Sequence, residues 1–468
     1  MDYSKEKLAR LEIVENKKEF IPSQHFTKDE AFITLILHIK NGVESSTGLF
    51  VISSNKKVIK IEDFVVQNNF KLLRNPDFDN RWSNSSITNF INENAKSDLV
   101  GTFNKIENLL KNYLDLGNDS LYKVLALWII GTYSYRQFKA FPYVNINGLM
   151  NSGKSKVLEL CSLLSFNGEL LMNSTPAYII RSIHDNGASI FLDEAERLKD
   201  TQNNDNQTLI LMLNSGYKLG PGIGKMNMNN KEKNWSQSKF DPYSPKMIAG
   251  INNVAETLVS RSINITLIAT ENVEIKNKEI DSDLPILQEI RDGLYLSVME
   301  NFKTIKEAYN GVTESSISAR NWEVWKPILS IALTIDDLKN SPDSPLLYSE
   351  ILEYAKSQIK IVKDISEETQ TAIQLLRALH KMIDSDRVEE DFYANENIKE
   401  YLIKHHADDF SWLLESNIGR YLGPTLRKTG VTTKGSEVRW YGNTSKRGFV
   451  LNKNVIKLRL KALGVENL

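Results

Sequence analysis

Eight consecutive residues, Gly148-Leu-Met-Asn151-Ser152-Gly153-Lys154-Ser155, combine two glycines, a lysine and a hydroxyl at the spacing G-x-x-x-x-G-K-S. Gly148 falls where a strand must turn sharply and Gly153 where backbone must come close to phosphates, and neither position accommodates a Cβ. Successive N–H groups through Asn151, Ser152 and Gly153, with the N-terminus of a following helix, then face a nucleotide's phosphates. Lys154 neutralises the β- and γ-phosphates, and Ser155 is a ligand for Mg²⁺. The chemistry predicted is ATP binding. Farther on, Ser189-Ile-Phe-Leu-Asp193-Glu194 is an apolar run ending in two carboxylates. In a parallel sheet that end of a strand is where ligands bind. Asp193 is placed to hold Mg²⁺ through water and Glu194 to orient or deprotonate an attacking water, which favours hydrolysis over transfer to a small molecule.

Three further groups extend the pattern. Met247-Ile-Ala-Gly-Ile-Asn252 reads as a strand ending in an amide that can bond a γ-phosphate or the lytic water. Arg261, just before another apolar run, can project from a subunit edge as a finger supplied in trans, stabilising transition-state charge. Arg320, in Ser-Ala-Arg320-Asn-Trp322, offers a second arginine at the start of a helix. Each arginine also has an ordinary reading as a surface ion pair. His405-His406 beside Asp408-Asp409 lack ligand spacing and read as a solvated helix end.

These groups need elements to position them. Pro142 to Asn147, Gly168 to Met172, Ala188 to Leu192, Lys246 to Asn252 and Ile263 to Ile268 read as five strands, with helices at Lys156 to Leu164, Pro176 to His184 and Gln207 to Ser215. Alternating strand and helix predicts an α/β fold with a parallel sheet covered on both faces. Residues 30 to 61 read as strands with an Asn41-Gly42 turn, and Ser83 to Asn92, Leu99 to Leu116 and Leu121 to Phe138 as helices. After about residue 280 the pattern is helical, changing near 410 to helix, turn, helix and hairpin. Lys199 to Gln207 is polar enough for a mobile loop. The expected domains are 1–95, small and mixed; 96–280, the P-loop core; 281–365, a helical lid; and 366–468, a helical linker with a basic C-terminal module.

Composition bounds the rest. The 468 residues are 41% apolar and 25% charged, as in globular proteins. The single Cys161 excludes a disulfide framework and a Cys-based zinc site and fits a reducing cytoplasm. No apolar run approaches the roughly 20 residues of a spanning helix. The net charge of -1 conceals an excess of nine positive charges over residues 416–468. That excess is either a polyanion-binding module or a solvated basic face. Arg427 and Lys428 sit on a basic helix and Lys446 and Arg447 at a hairpin tip; all four are candidate contacts to DNA. Trp440 and Tyr441 are expected in the core rather than stacked on bases.

The order of these motifs over roughly 120 to 335 resembles the AAA+ ATPases, specifically the MCM-like helicases of mobile elements, such as staphylococcal cassette chromosomes and related phage and plasmid replication proteins. The wording that carries it is Pro142 through Ser155, Phe191-Leu-Asp-Glu-Ala-Glu-Arg-Leu, Ile248-Ala-Gly-Ile-Asn and Ser260-Arg-Ser-Ile. The resemblance implies an AAA+ fold with a helical lid and a C-terminal winged helix, a homo-hexameric ring, and the roles of sensor 1 for Asn252, arginine finger for Arg261 and sensor 2 for Arg320. Sensor 2 is followed here by Trp322-Glu-Val-Trp325-Lys-Pro327, a departure from the usual wording. It further implies that Gly220 to Phe240, two strands around a polar tip, is a pore hairpin in which Lys231 and Lys233 grip single-stranded DNA without sequence preference. The C-terminal module then binds duplex DNA or regulates the ring. The expected function is an ATP-driven DNA helicase. Alternatives are an AAA+ loader or remodeller without unwinding activity, a small-molecule phosphotransferase, and a nucleotide-gated DNA-binding protein.

Overall fold

The computed structural model describes residues 17–41, 44–74, 76–77, 79–148, 150–195, 203–220, 222–229, 234–250, 256–317, 319–339, 346–385, 390–410, 418–432, 435–441, 443–462 and 465. The chain divides into two compact units, Met1–Lys356 and Ser357–Leu468. Among the described residues no helix is long and apolar enough to cross a membrane.

The first unit opens with short strands β1 (Lys18–Phe20), β2 (His25–Phe26), β3 (Ala31–Asn41), β4 (Glu44–Ser53), β5 (Val58–Lys60) and β6 (Phe70–Leu72). Strands β2 to β5 form an antiparallel sheet in sequence order, and β1 pairs with β6. Phe20, Phe32, Val51, Ile61 and Phe64 form its core, the last two from the helix Ile61–Gln67. Helices Asn84–Ile91, Leu99–Tyr113 and Asp119–Thr132 follow, each capped by a side chain that bonds a first-turn N–H: Ser83, Asp98 and Asn118. The third was expected to run to Phe138. It stops at Thr132 and gives way to a single tight turn at Tyr135–Gln137, which brings Arg136 inward to an acidic partner described below.

Helix Asp119–Thr132 is buried almost throughout, and the sheet beside it explains why. Trp128 donates its indole N–H to the Pro142 carbonyl at 2.8 Å and meets Phe191 edge to face. The sheet comprises β7 (Tyr143–Gly148), β8 (Gly168–Leu171), β9 (Ser189–Leu192), β12 (Lys246–Gly250) and β13 (Ser262–Leu267), with β10 (Ile223–Asn229) and β11 (Asn234–Phe240) forming a separate antiparallel hairpin. All neighbours in the order β13-β7-β12-β9-β8 are parallel. The four residues of β9 are completely or nearly buried, as a strand covered on both faces must be. Strand β12 therefore lies between the glycine-loop strand β7 and the acidic strand β9, an order that needs a long crossover and is invisible in local pattern. Helix Asn204–Ser215 starts within the stretch expected to be loop, while residues 196–202 lie outside the described residues. Helices Pro285–Gly311 and Ala319–Lys339 close the unit; Tyr295 of the first stacks on Trp82 at 5.1 Å.

The second unit contains the later part of helix Leu347–Ser385, a sheet of β14 (Glu390–Ala394), β15 (Glu437–Tyr441) and β16 (Thr444–Asn452) in the order β14-β16-β15, and helices Asn395–His405, Ile418–Lys428 and Lys453–Ala462. Its core joins Leu379, Ile383, Leu402, Leu422, Phe449, Leu451 and Ile456. Trp440 and Tyr441 are not in that core: they are 72% and 54% exposed. Strand β15 and the first four residues of β16 are largely exposed, and burial begins at Gly448, with Phe449 and Leu451 in the core.

Candidate nucleotide-binding and hydrolytic site

The glycine loop leaves the C-terminal end of β7 and enters helix Lys154–Leu164. A Cβ on Gly148 would stand 2.4 Å from Ser152 Oγ and 2.7 Å from the Leu267 carbonyl, so the turn depends on glycine for space. Gly153 depends on it for conformation: it caps the helix at φ +88°, with nothing crowding the missing side chain. Asn151 also has a positive φ, of 63°. The loop thus presents backbone N–H groups and a helix N-terminus together, an anion-binding arrangement. Lys154 Nζ is folded onto the Gly148 carbonyl at 2.8 Å.

Ser155 Oγ donates to Asp193 Oδ2 at 2.6 Å, joining the loop to the end of β9. Asp193 Oδ1 accepts the Glu194 N–H at 2.8 Å, and Glu194 takes a left-handed backbone conformation, φ 56°, with its side chain exposed. A non-glycine residue there stores strain, and the turn directs the second carboxylate away from the strand. A hydroxyl beside one carboxylate suits Mg²⁺, which takes oxygen ligands and usually keeps phosphate and water for the rest of its shell. Beside the loop is a pocket of about 400 Å³ whose apolar lining comes from Tyr113, Leu114, Leu116, Leu267 and Ile275. A phosphate loop next to an apolar slot matches the two halves of a nucleotide.

The remaining predicted residues distribute differently. Arg261 immediately precedes β13, and its carbonyl accepts the Tyr143 N–H at 3.1 Å, at the start of β7. The loop begins at the other end of β7, about 17 Å away at the strand's rise per residue, beyond the reach of an arginine side chain. Arg320, second residue of helix Ala319–Lys339, lies with Arg261 and not with the loop: both guanidinium groups stand over the Tyr217 ring, at 5.0 and 5.1 Å. Asn252, Lys231 and Lys233 lie outside the described residues. The hairpin expected around those lysines is formed by β10 and β11, paired from Ile223–Phe240 to Asn229–Asn234. Arg427, Lys446 and Arg447 are exposed on the second unit; Lys428 ends the same helix as Arg427.

Two titratable residues at the root of the β10–β11 hairpin, one partly and one fully buried, were not singled out from sequence. Asp241, next after β11, accepts from Arg136 at 3.0 Å and Arg74 at 3.2 Å, and takes the Tyr243 N–H at 3.0 Å. Burial alone would raise its carboxyl; Arg136, Arg74 and the N–H outweigh that and hold it at about 2. Lys246, which opens β12, is fully buried with Nζ donating to the carbonyls of Pro242, Ser244 and Gly216 at 2.9, 3.1 and 3.3 Å. Desolvation lowers it to about 7. Neither residue has a sequence signal beyond being charged and flanked by Pro and Tyr.

No protein-family model and no curated protein matches the sequence. Solved structures similar to the chain include the SCCmec type IV Cch active helicase, at 14% identity and a TM-score of 0.38, covering 88% of this chain and 78% of that one. The C-terminal region of NrS-1 in an apo form is similar at 11% identity and a TM-score of 0.31, covering 82% and 81%. Cdc6p of Pyrobaculum aerophilum is similar at 12% identity and a TM-score of 0.21, covering 74% and 95%. Identity and TM-score are too low to carry any residue's role across, so roles here rest on this chain's own geometry.

Proposed function

We propose that the chain is an ATP-hydrolysing DNA motor, a helicase of a mobile element working as a homo-hexameric ring with its hydrolytic sites shared between neighbouring copies. The observation that carries this reading is the split of the chemistry between the two ends of one sheet. Ser155 and Asp193 meet at 2.6 Å beside the glycine loop, whereas Arg261 and Arg320 gather at the opposite end. A single copy can bind nucleotide but cannot bring its own arginines to it; a head-to-tail neighbour can.

In this reading the loop N–H groups and Lys154 hold the phosphates, and Ser155 with Asp193 would hold Mg²⁺, which when bound neutralises phosphate charge. Glu194 takes a proton from the attacking water. Arg261 and Arg320 of a neighbour stabilise the negative charge that develops on the transferred phosphoryl group. Asn252 bonds the γ-phosphate or the lytic water. The β10–β11 hairpin carries Lys231 and Lys233 to DNA in the pore, and Arg427, Lys428, Lys446 and Arg447 contact duplex at the C-terminal winged helix.

Unwinding of a forked DNA with ATP tests the reading. Wild type should separate the strands, Lys154→Ala and Glu194→Gln should neither hydrolyse nor unwind, and Lys231→Ala with Lys233→Ala should hydrolyse without unwinding. DNA-stimulated hydrolysis with no unwinding by wild type would replace the motor with a loader or remodeller. Undiminished turnover in Lys154→Ala would remove the site itself.

A further inference from the structure

Tyr217 joins the two arginines, and nothing in the motif pattern marks it. It follows helix Asn204–Ser215, is 5% exposed, and is fixed through its backbone: its carbonyl accepts the Phe141 N–H at 3.0 Å, and the Leu219 N–H donates to the Lys139 carbonyl at 3.0 Å. This pins the residue to the chain leading into β7. Around its ring stand the guanidinium carbons of Arg261 at 5.0 Å and Arg320 at 5.1 Å. Its hydroxyl donates to Glu323 Oε2 at 3.2 Å, and the other oxygen of Glu323 accepts Lys218 Nζ at 2.6 Å. Arg320 Nε is farther from that carboxylate, at 3.8 Å.

Three cations and one carboxylate leave two positive charges in excess on a half-exposed patch. Like charges this close repel, and the ring's π face together with Glu323 is what holds them in place. Both arginines present planar forks suited to phosphate oxygens. Glu323 has a short bond to Lys218 and a longer one to Tyr217, so it keeps its pairing when Arg320 departs. Arg261 is secured separately, its Nη1 donating to the Thr257 carbonyl, while its buried Nε has no partner among the described residues.

We propose that Tyr217 is a positioning residue for hydrolysis: its ring is the shared shelf that sets Arg261 and Arg320 as a pair toward the nucleotide of a neighbouring copy, and Glu323 is the counter-ion that Arg320 leaves when those phosphates arrive. This rests on the ring-motor reading above. A shelf acting through donated arginines affects the neighbour's site and spares its own, and that separates it from a residue that merely supports the local fold.

Subunit mixing tests it. Tyr217→Ala should bind a fluorescent ATP analogue within about twofold of wild type yet turn over ATP at least tenfold more slowly alone. Mixed in equal amounts with Lys154→Ala, which lacks a working loop but has intact arginines, it should recover to about a quarter of wild-type turnover, since half of the loops are intact and half of those face an intact donor. Tyr217→Leu, which keeps apolar volume without a π face, should behave in the same way, and Tyr217→Phe should restore most of the loss. Weak nucleotide binding by both Ala and Leu variants, no recovery on mixing, or full turnover alone would each overturn the shelf. Full turnover in Arg261→Ala would overturn the ring reading and the shelf with it, whereas an inactive Arg261→Ala that mixing rescues, beside a Tyr217→Ala that it does not, overturns the shelf alone.

Discussion

Replacing Asp241 by Asn keeps the shape of the side chain and removes its charge from between two arginines. Arg74 and Arg136 have side chains only 3% exposed and Asp241 only 19%, so solvent screens the triad weakly. Arg74 retains Glu19 at 2.8 Å and the His184 carbonyl at 2.6 Å, whereas Arg136 loses its one acidic partner among the described residues. Two routes bound the magnitude. A carboxyl held at about 2 instead of the ordinary 3.8 stabilises the folded form by about 2 kcal/mol. Breaking a buried pair on one side costs about 3–5 kcal/mol, because the remaining charge is left uncompensated. The expected destabilisation is therefore about 3 kcal/mol at neutral pH, read from urea unfolding followed by tryptophan fluorescence. The pH dependence has a definite sign. Since the folded pKa lies below the unfolded one, the stabilisation is complete above about pH 4 and is lost as pH falls through about 2, so wild type and variant should converge over that window. Removing Arg136 as well, by Arg136→Met, should shrink the cost of Asp241→Asn. A change below about 1 kcal/mol at neutral pH, or one equally large at pH 2, would refute the argument that this carboxylate anchors the hairpin root by charge.

Three other outcomes follow from the same geometry. Lys246→Met should flatten the pH dependence of stability between about pH 7 and 10: a lysine lowered to about 7 in the folded chain binds fewer protons there than the unfolded chain, so its contribution rises with pH by up to about 1.4 kcal/mol per pH unit. Thermal midpoints at both ends of that range check this, and an unchanged slope speaks against a neutralised buried amine. Gly148→Ala should weaken nucleotide binding by about tenfold or more, by calorimetry, because the new Cβ meets the Leu267 carbonyl at 2.7 Å and backbone cannot step aside. Trp440→Ala should change unfolding stability by no more than about 0.5 kcal/mol, and a loss of 2 kcal/mol or more would return that ring to the core.

The parts legible in sequence are those whose constraints are contiguous. Gly148, Gly153, Lys154 and Ser155 answer to one turn and one helix start, and Asp193 with Glu194 to the end of one buried strand, so spacing alone located them. The same locality found the five strands of the sheet and the hairpin at β10 and β11. What escaped depends on residues far apart in the chain. The insertion of β12 between β7 and β9 is set by a crossover, not by the composition of any strand. Asp241 is held by Arg74 and Arg136 from 167 and 105 residues away, and in sequence it is one more acid in a polar stretch. Trp440 failed for a related reason: alternation says which residues share a face of a hairpin, but whether that face is covered depends on where the helices stop.

The arginines show how this locality bears on function. A resemblance of motif order names Arg261 and Arg320 separately, each by its distance in sequence from the glycine loop, and assigns no contact between them. The fold gives them a common position through Tyr217, a residue contributed by the segment that leads to the hairpin, while Tyr143 ties the backbone of Arg261 to the start of β7. Strand β7 then spans the two halves of the chemistry, with the loop at one end and the arginine pair anchored at the other. Parallel neighbours fix its register on both sides, so the separation between the halves is set by the length of a strand buried in the sheet core and not by a flexible link. In the proposed ring, the arginine pair offered to a neighbour and the loop that holds the chain's own phosphates therefore stay a fixed strand length apart.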